Sequence, residues 1–133
     1  MRSLTPCCAV AVAGPSNLVT FLDSAFGGNG AEYLRLTVGD LRSDMERLRQ
    51  VSPALQAHRV RIPILLAHGA RDSRVPIAES EQMVAALRAQ GKPVEFLAFP
   101  EEGHSYWCEH NNLALYRAVE TFLGQHLGSR VGP

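Results

Sequence analysis

The sequence predicts an α/β domain of about three parallel strands alternating with helices, and two observations carry that prediction. Three short apolar runs, at residues 7–13 (CCAVAVA), 62–67 (IPILLA) and 94–99 (VEFLAF), are continuous rather than alternating, and glycine or proline follows each within two residues. Such runs suit strands buried on both faces of a parallel sheet. Apolar residues at helical spacing lie between and after the runs, and strand-helix alternation is the pattern of right-handed crossover connections.

The elements follow in order. Met1-Arg2-Ser3 followed by Leu4 to Ala13 imitates a secretory leader with Ala11-Val12-Ala13 as its cleavage site. It is short and broken by Pro6, so a buried strand is the better reading. Gly14-Pro15-Ser16-Asn17-Leu18 then leads into an apolar, helix-like stretch, and Gly27-Gly28-Asn29-Gly30 reads as a flexible loop because it lacks the context of a phosphate cradle. Leu41, Met45 and Leu48 recur at i, i+4, i+7 behind Asp40 as N-cap, and Ser52-Pro53 stops that helix. After the second strand, Met83, Val84 and Leu87 mark the apolar face of a helix running from near Pro76 to Gly91. The last helix carries Leu115, Tyr116, Val119, Phe122, Leu123 and Leu127 after Asn111 or Asn112.

Composition narrows the function classes. The 133 residues suit one domain, and 13 Lys plus Arg against 13 Asp plus Glu give no electrostatic footprint for nucleic acid or a membrane surface. No apolar run reaches the roughly 18 residues that a membrane span needs. Cys7, Cys8 and Cys108 are sparse and odd in number, which fits a reducing cytoplasm better than a disulfide scaffold. No cofactor is expected.

In α/β sheets chemistry gathers at the carboxyl ends of the strands. Asp72 lies in the loop after the second strand, and His104 lies 32 residues later in the loop after the third. A carboxylate beside an imidazole fixes its tautomer and makes it a competent general base. The order acid then histidine is that of α/β-hydrolases. Asp72 and His104 are therefore the expected catalytic pair, against the plainer alternatives of a helix-capping aspartate and a solvated loop histidine. His68 reads as a satisfied loop histidine, and Arg71 and Arg74 as wet surface. His104, Cys108 and His110 lack a fourth partner, so no metal site is expected. Tyr106 and Trp107 either line a substrate pocket or anchor their loop in the core.

The order and spacing of several motifs carry a resemblance. They are the stretch Gly14-Pro15-Ser16-Asn17-Leu18 running on to Leu22, Val38-Gly39-Asp40, Ser52-Pro53, Ile62-Pro63-Ile64-Leu65-Leu66 and His68-Gly69-x-x-Asp72-x-x-Val75-Pro76. Further along come Glu79-Ser80-Glu81-Gln82-Met83, Gly91-Lys92-Pro93-Val94-Glu95, Glu102-Gly103-His104 and Tyr116 to Leu123. Over residues 7 to about 128 the chain resembles the carboxyl-terminal part of the prolyl oligopeptidase family of serine peptidases, in its dipeptidyl and acylaminoacyl peptidase branch. The resemblance implies the C-terminal portion of an α/β-hydrolase fold, with the last three strands side by side, Asp72 as triad acid and His104 as triad base. Family members also carry a serine in a G-x-S-x-G elbow upstream and usually a β-propeller before that. Ser105-Tyr106-Trp107-Cys108-Glu109-His110 departs from the family pattern after the histidine, and the segment 25–36 is shorter and richer in glycine than the family's.

No G-x-S-x-G occurs in the sequence. Gly14-Pro15-Ser16-Asn17-Leu18 imitates it, but the elbow needs a small last residue where Leu18 stands, so Ser16 is expected to cap a helix or line the pocket. The expectation is thus a partial peptidase domain over residues 1–133, lacking the elbow half and any propeller, inactive alone, and acting on a peptide substrate. Its expected partner is the missing N-terminal portion, or a second copy through the edge of the strand at 7–13. Two rival readings are an esterase or dienelactone-hydrolase-like fragment and a non-catalytic binding module that uses its exposed sheet edge.

Overall fold

A computed structural model describes residues 6–25 and 30–128. Strands β1 (Ala9–Val12), β2 (Ile64–Gly69) and β3 (Val94–Phe99) form one parallel sheet in sequence order. Ala9 pairs with Ile64, Ile64 with Val94, and the β2–β3 register runs on to Gly69 beside Phe99. Helices α1 (Leu18–Ala25), α2 (Ala31–Thr37) and α3 (Met45–Val51) and a 3₁₀ helix (Pro53–Arg59) connect β1 to β2. Helix α4 (Ala78–Ala89) connects β2 to β3, and α5 (Glu109–Leu127) follows β3. This is the α/β alternation that the sequence predicts.

Among the described residues only β2 is a strand buried along most of its length, because it alone has a paired neighbour on each side. Val12 on β1 and Glu95 on β3 are exposed, so full burial of all three strands, which the continuous apolar runs suggest, holds only for the middle one. Alternate β2 side chains enter opposite layers. Leu66 packs with Ala54 and Ala57 of the 3₁₀ helix and with Met83, Val84 and Leu87 of α4. Ala67 packs with Phe99 and with Leu115 of α5. Full burial of one leucine contributes roughly 1.5–3 kcal/mol, so these two layers fix where the strand ends point.

Two helix boundaries differ from the sequence reading. Helix α3 starts at Met45 behind Asp44, not behind Asp40. Asp40 closes a turn instead: its Oδ1 accepts the Arg42 N–H at 2.7 Å and its own N–H donates to Asp44 Oδ2 at 2.8 Å. Helix α5 starts at Glu109, before the asparagines expected to precede it. Asn111 and Asn112 donate their side-chain amides to Glu102 Oε1 and Tyr106 O, each at 2.8 Å, and are thus spent on the preceding loop. Gly91 ends α4 region in the left-handed conformation, φ +62°, as expected of a C′ glycine. The leader-like Met1 to Thr5 and the loop residues Gly27, Gly28 and Asn29 lie outside the described residues.

Candidate active site

The loops that follow the three strands are each held by a buried carboxylate that accepts two consecutive backbone N–H groups. After β2, Asp72 Oδ1 accepts the N–H groups of Arg74 and Val75 at 2.8 and 2.9 Å. The aspartate therefore braces its own loop rather than capping α4, whose N-cap is Ile77. Its other oxygen, Oδ2, lies 2.8 Å from His104 Nδ1. The Asp72 side chain is fully buried while that of His104 is 35% exposed, so the pair spans from core to surface.

Burial raises the Asp72 carboxyl, but the bonds from Val75 N–H, His104 and Arg74 N–H outweigh it and hold it below the usual carboxylate value. An ionised carboxylate only accepts, so His104 Nδ1 carries a proton and Nε2 is the ring nitrogen left for chemistry. Among the described residues Nε2 has no hydrogen-bond partner. Arg71 and Arg74 are exposed and form no ion pair with Asp72 among these residues, in keeping with the surface reading.

The loop after β3 meets the acid loop backbone to backbone. Ala70 N–H donates to Phe99 O and Arg71 N–H to Glu102 O, both at 2.9 Å. A side chain at Gly69 would collide with the carbonyls of Gly103 and Glu102. Glu102, 1% exposed, accepts the N–H groups of Trp107 and Cys108 at 3.0 Å and the Asn111 amide at 2.8 Å. The Asn111 amide outweighs burial and, with the two backbone donors, lowers the Glu102 carboxyl to about 2. Of the two readings open for the aromatic pair, Tyr106 takes the anchoring one, edge-on to Phe99 at 5.2 Å. Burial, then the charges of Asp72 and Glu102, push its hydroxyl up to about 12. Trp107 is 86% exposed.

After β1, Ala13 adopts φ +51°, a strained conformation for a residue with a side chain, and turns the chain into the loop. Glu79, from the first turn of α4, accepts the N–H groups of Ser16 and Asn17 at 3.0 and 2.7 Å and the Thr20 hydroxyl at 2.6 Å. Ser16 is buried with its hydroxyl donated to Glu79 O. It is not the helix cap: Asn17 Oδ1 accepts the Val19 N–H at 3.2 Å in that role.

His68 stands on β2 itself, wholly buried, not in the loop where the sequence reading puts it. Both ring nitrogens are bonded, and Nε2 lies 3.3 Å from Asp72 Oδ2. Neither this contact nor the clamping by Glu79 and Glu102 is visible in sequence spacing. An acidic residue in a first helical turn ordinarily signals only the helix dipole. Among the described residues no three His, Cys, Asp or Glu side chains gather to hold a metal, and no helix is long and apolar enough to cross a membrane.

Comparison with known proteins shows the family. The profile of the prolyl oligopeptidase family matches residues 7–130. Dipeptidyl aminopeptidase BIII of Pseudoxanthomonas mexicana is 39% identical over 130 residues, covering 95% of this chain and 19% of that protein. Dipeptidyl peptidase family member 6 of Caenorhabditis elegans is 36% identical over 131 residues, covering 95% and 18%. Among solved structures, the acylaminoacyl peptidase of Pyrococcus horikoshii shares the fold with a TM-score of 0.82 at 24% identity, over 94% of this chain and 21% of that one. The chain spans about a fifth of the length of these relatives.

Proposed function

The chain belongs to the prolyl oligopeptidase family, and from that premise we propose that it supplies the acid and base of a serine-type peptidase acting through an acyl-enzyme. The observation that carries this reading is the hydrogen bond of 2.8 Å between buried Asp72 and partly exposed His104. In the proposed reaction His104 Nε2 takes the proton of a serine hydroxyl as its oxygen attacks the peptide carbonyl. The same nitrogen returns that proton to the leaving amine as the C–N bond breaks, and water then releases the acyl group by the reverse sequence. Asp72 holds the Nδ1–H tautomer and stabilises the imidazolium formed in both steps.

The serine of this reading lies outside the 133 residues. The absence of a G-x-S-x-G sequence supports that placement, as does the engagement of Ser16 with Glu79. The chain is then a partial hydrolase domain, silent by itself, whose β1 edge receives the elbow half or a second copy. Among the described residues β1 is paired only with β2, and Ala9–Val12 bears no charged side chain. Free Cys7, Cys8 and Cys108 accord with a cytoplasmic setting.

The test joins the chain to its elbow half, in trans or as a fusion, and follows hydrolysis of a dipeptide anilide beside a matched ester. His104→Ala is expected to lower kcat by about a million-fold; retained activity overturns the assignment of the base. Hydrolysis of the ester with none of the anilide would move the substrate class to esters. A fluorophosphonate that labels the isolated chain on Ser16 would place the nucleophile within it and overturn the proposed silence.

A further inference from the structure

We infer that His68 is a positioning residue for Asp72: from the buried side it holds the loop that carries the acid, through the Val75 carbonyl, while His104 meets the acid from the solvent side. The inference rests on the acid–base reading of Asp72 and His104 and adds a residue to it. His68 Nε2 faces two groups, Val75 O at 2.9 Å and Asp72 Oδ2 at 3.3 Å. The carbonyl only accepts, so Nε2 carries the proton and donates it to Val75 O, with the Asp72 carboxylate in contact beside it. On the other side of the ring, Nδ1 lies 2.6 Å from the hydroxyl of Ser80, in the first turn of α4.

Val75 closes the link to Asp72, since its carbonyl accepts from His68 and its N–H donates to Asp72 Oδ1. Oδ1 also takes the Arg74 N–H, and Oδ2 takes that of His104, with His68 Nε2 3.3 Å away. A carboxylate held by its loop is only as fixed as that loop. The His68 N–H, projecting from the central strand, pins the Val75 carbonyl and with it the N–H that holds Oδ1, which keeps Oδ2 aimed at His104. The His68 and Asp72 side chains are both fully buried, so this contact is not weakened by water. Ser80 in turn sets the His68 ring plane, which links the acid to the helix whose Glu79 holds the loop after β1.

The ¹⁵N-labelled 133-residue chain tests this by imidazole NMR, with no need of catalysis. His68 is expected to show a protonated Nε2; a neutral ring protonated on Nδ1 cannot donate to Val75 O and overturns the inference. Two variants separate positioning from packing. His68→Gln carries an amide N–H close to where Nε2 stands and is expected to keep the downfield, exchange-protected Nδ1–H signal of His104. His68→Asn reaches only toward Ser80 and is expected to lose it. Retention of the signal in both folded variants, or its loss from both, overturns the inference. If the variants do not fold, the wild-type tautomer decides. An absent His104 Nδ1–H signal in the wild-type chain would instead break the Asp72–His104 pair itself, so the two readings fail separately.

Discussion

Asp72, Glu79 and Glu102 grip the chain in the same way, each buried and each accepting two successive backbone N–H groups in a loop beyond a strand end. They differ in the remaining partner. Glu79 takes a hydroxyl from Thr20, Glu102 takes an amide from Asn111, and Asp72 takes an imidazole that reaches solvent. Hydroxyl and amide donors do not titrate in the ordinary range, so two of these carboxylates are purely architectural. The third has the same architecture with an imidazole attached, a ring whose far nitrogen can accept a proton. A site of this kind needs no special backbone, only one exchange of partner on a frame repeated at each loop.

That contrast is broken most sharply at Asp72. In the reconstituted enzyme Asp72→Asn keeps an oxygen for Arg74 and Val75 but offers His104 an amide, forcing the wrong tautomer. It is expected to lower kcat by about 10⁴-fold, with a modest fall in the thermal midpoint as the stabilising charge is lost. Gly69→Ala drives a methyl group into the carbonyls of Gly103 and Glu102 and is expected to separate the acid and base loops. The loss of the His104 Nδ1–H signal, with a lowered melting temperature, would register it. Glu79→Gln should do the reverse of Asp72→Asn, leaving kcat within a few-fold and costing about 1–3 kcal/mol in denaturant unfolding.

Acid sharpens the comparison further. The Asp72 and Glu102 carboxyls are lowered on folding, so the stability they confer is complete above their unfolded values near 4. It is lost as pH falls through their folded values, for Glu102 down to about 2. An unfolding midpoint that declines between about pH 4.5 and 2, and declines less in Glu102→Gln, is the expected result. Smallest of all is the effect of Arg71→Ala or Arg74→Ala, both exposed, which should stay within about 0.5 kcal/mol.

The fold was legible because burial leaves a periodic trace. The run 94–99 is a strand with those same bounds, and the run 62–67 shifts by only two residues. Boundaries failed where a polar side chain had two possible uses. Asp40 and the Asn111–Asn112 pair read as helix starts, yet their hydrogen bonds go to turns and loops, a choice that tertiary contacts make. Asp72 and His104 could be singled out because strand ends concentrate chemistry and their types are informative in that setting. His68, Glu79 and Glu102 act through partners 4 to 63 residues away, and no local spacing encodes such contacts.

The close seating of Gly69 against the carbonyls of Gly103 and Glu102 has a dynamic meaning. With no side chain between them, and with Ala70 and Arg71 bonded across the seam, the two loops have little room to fluctuate independently. Opening one should open the other, so their amides would exchange hydrogen as a single cooperative unit. The separation of Asp72 and His104 is then insulated from the ordinary wandering of surface loops, and thermal motion carries acid and base together.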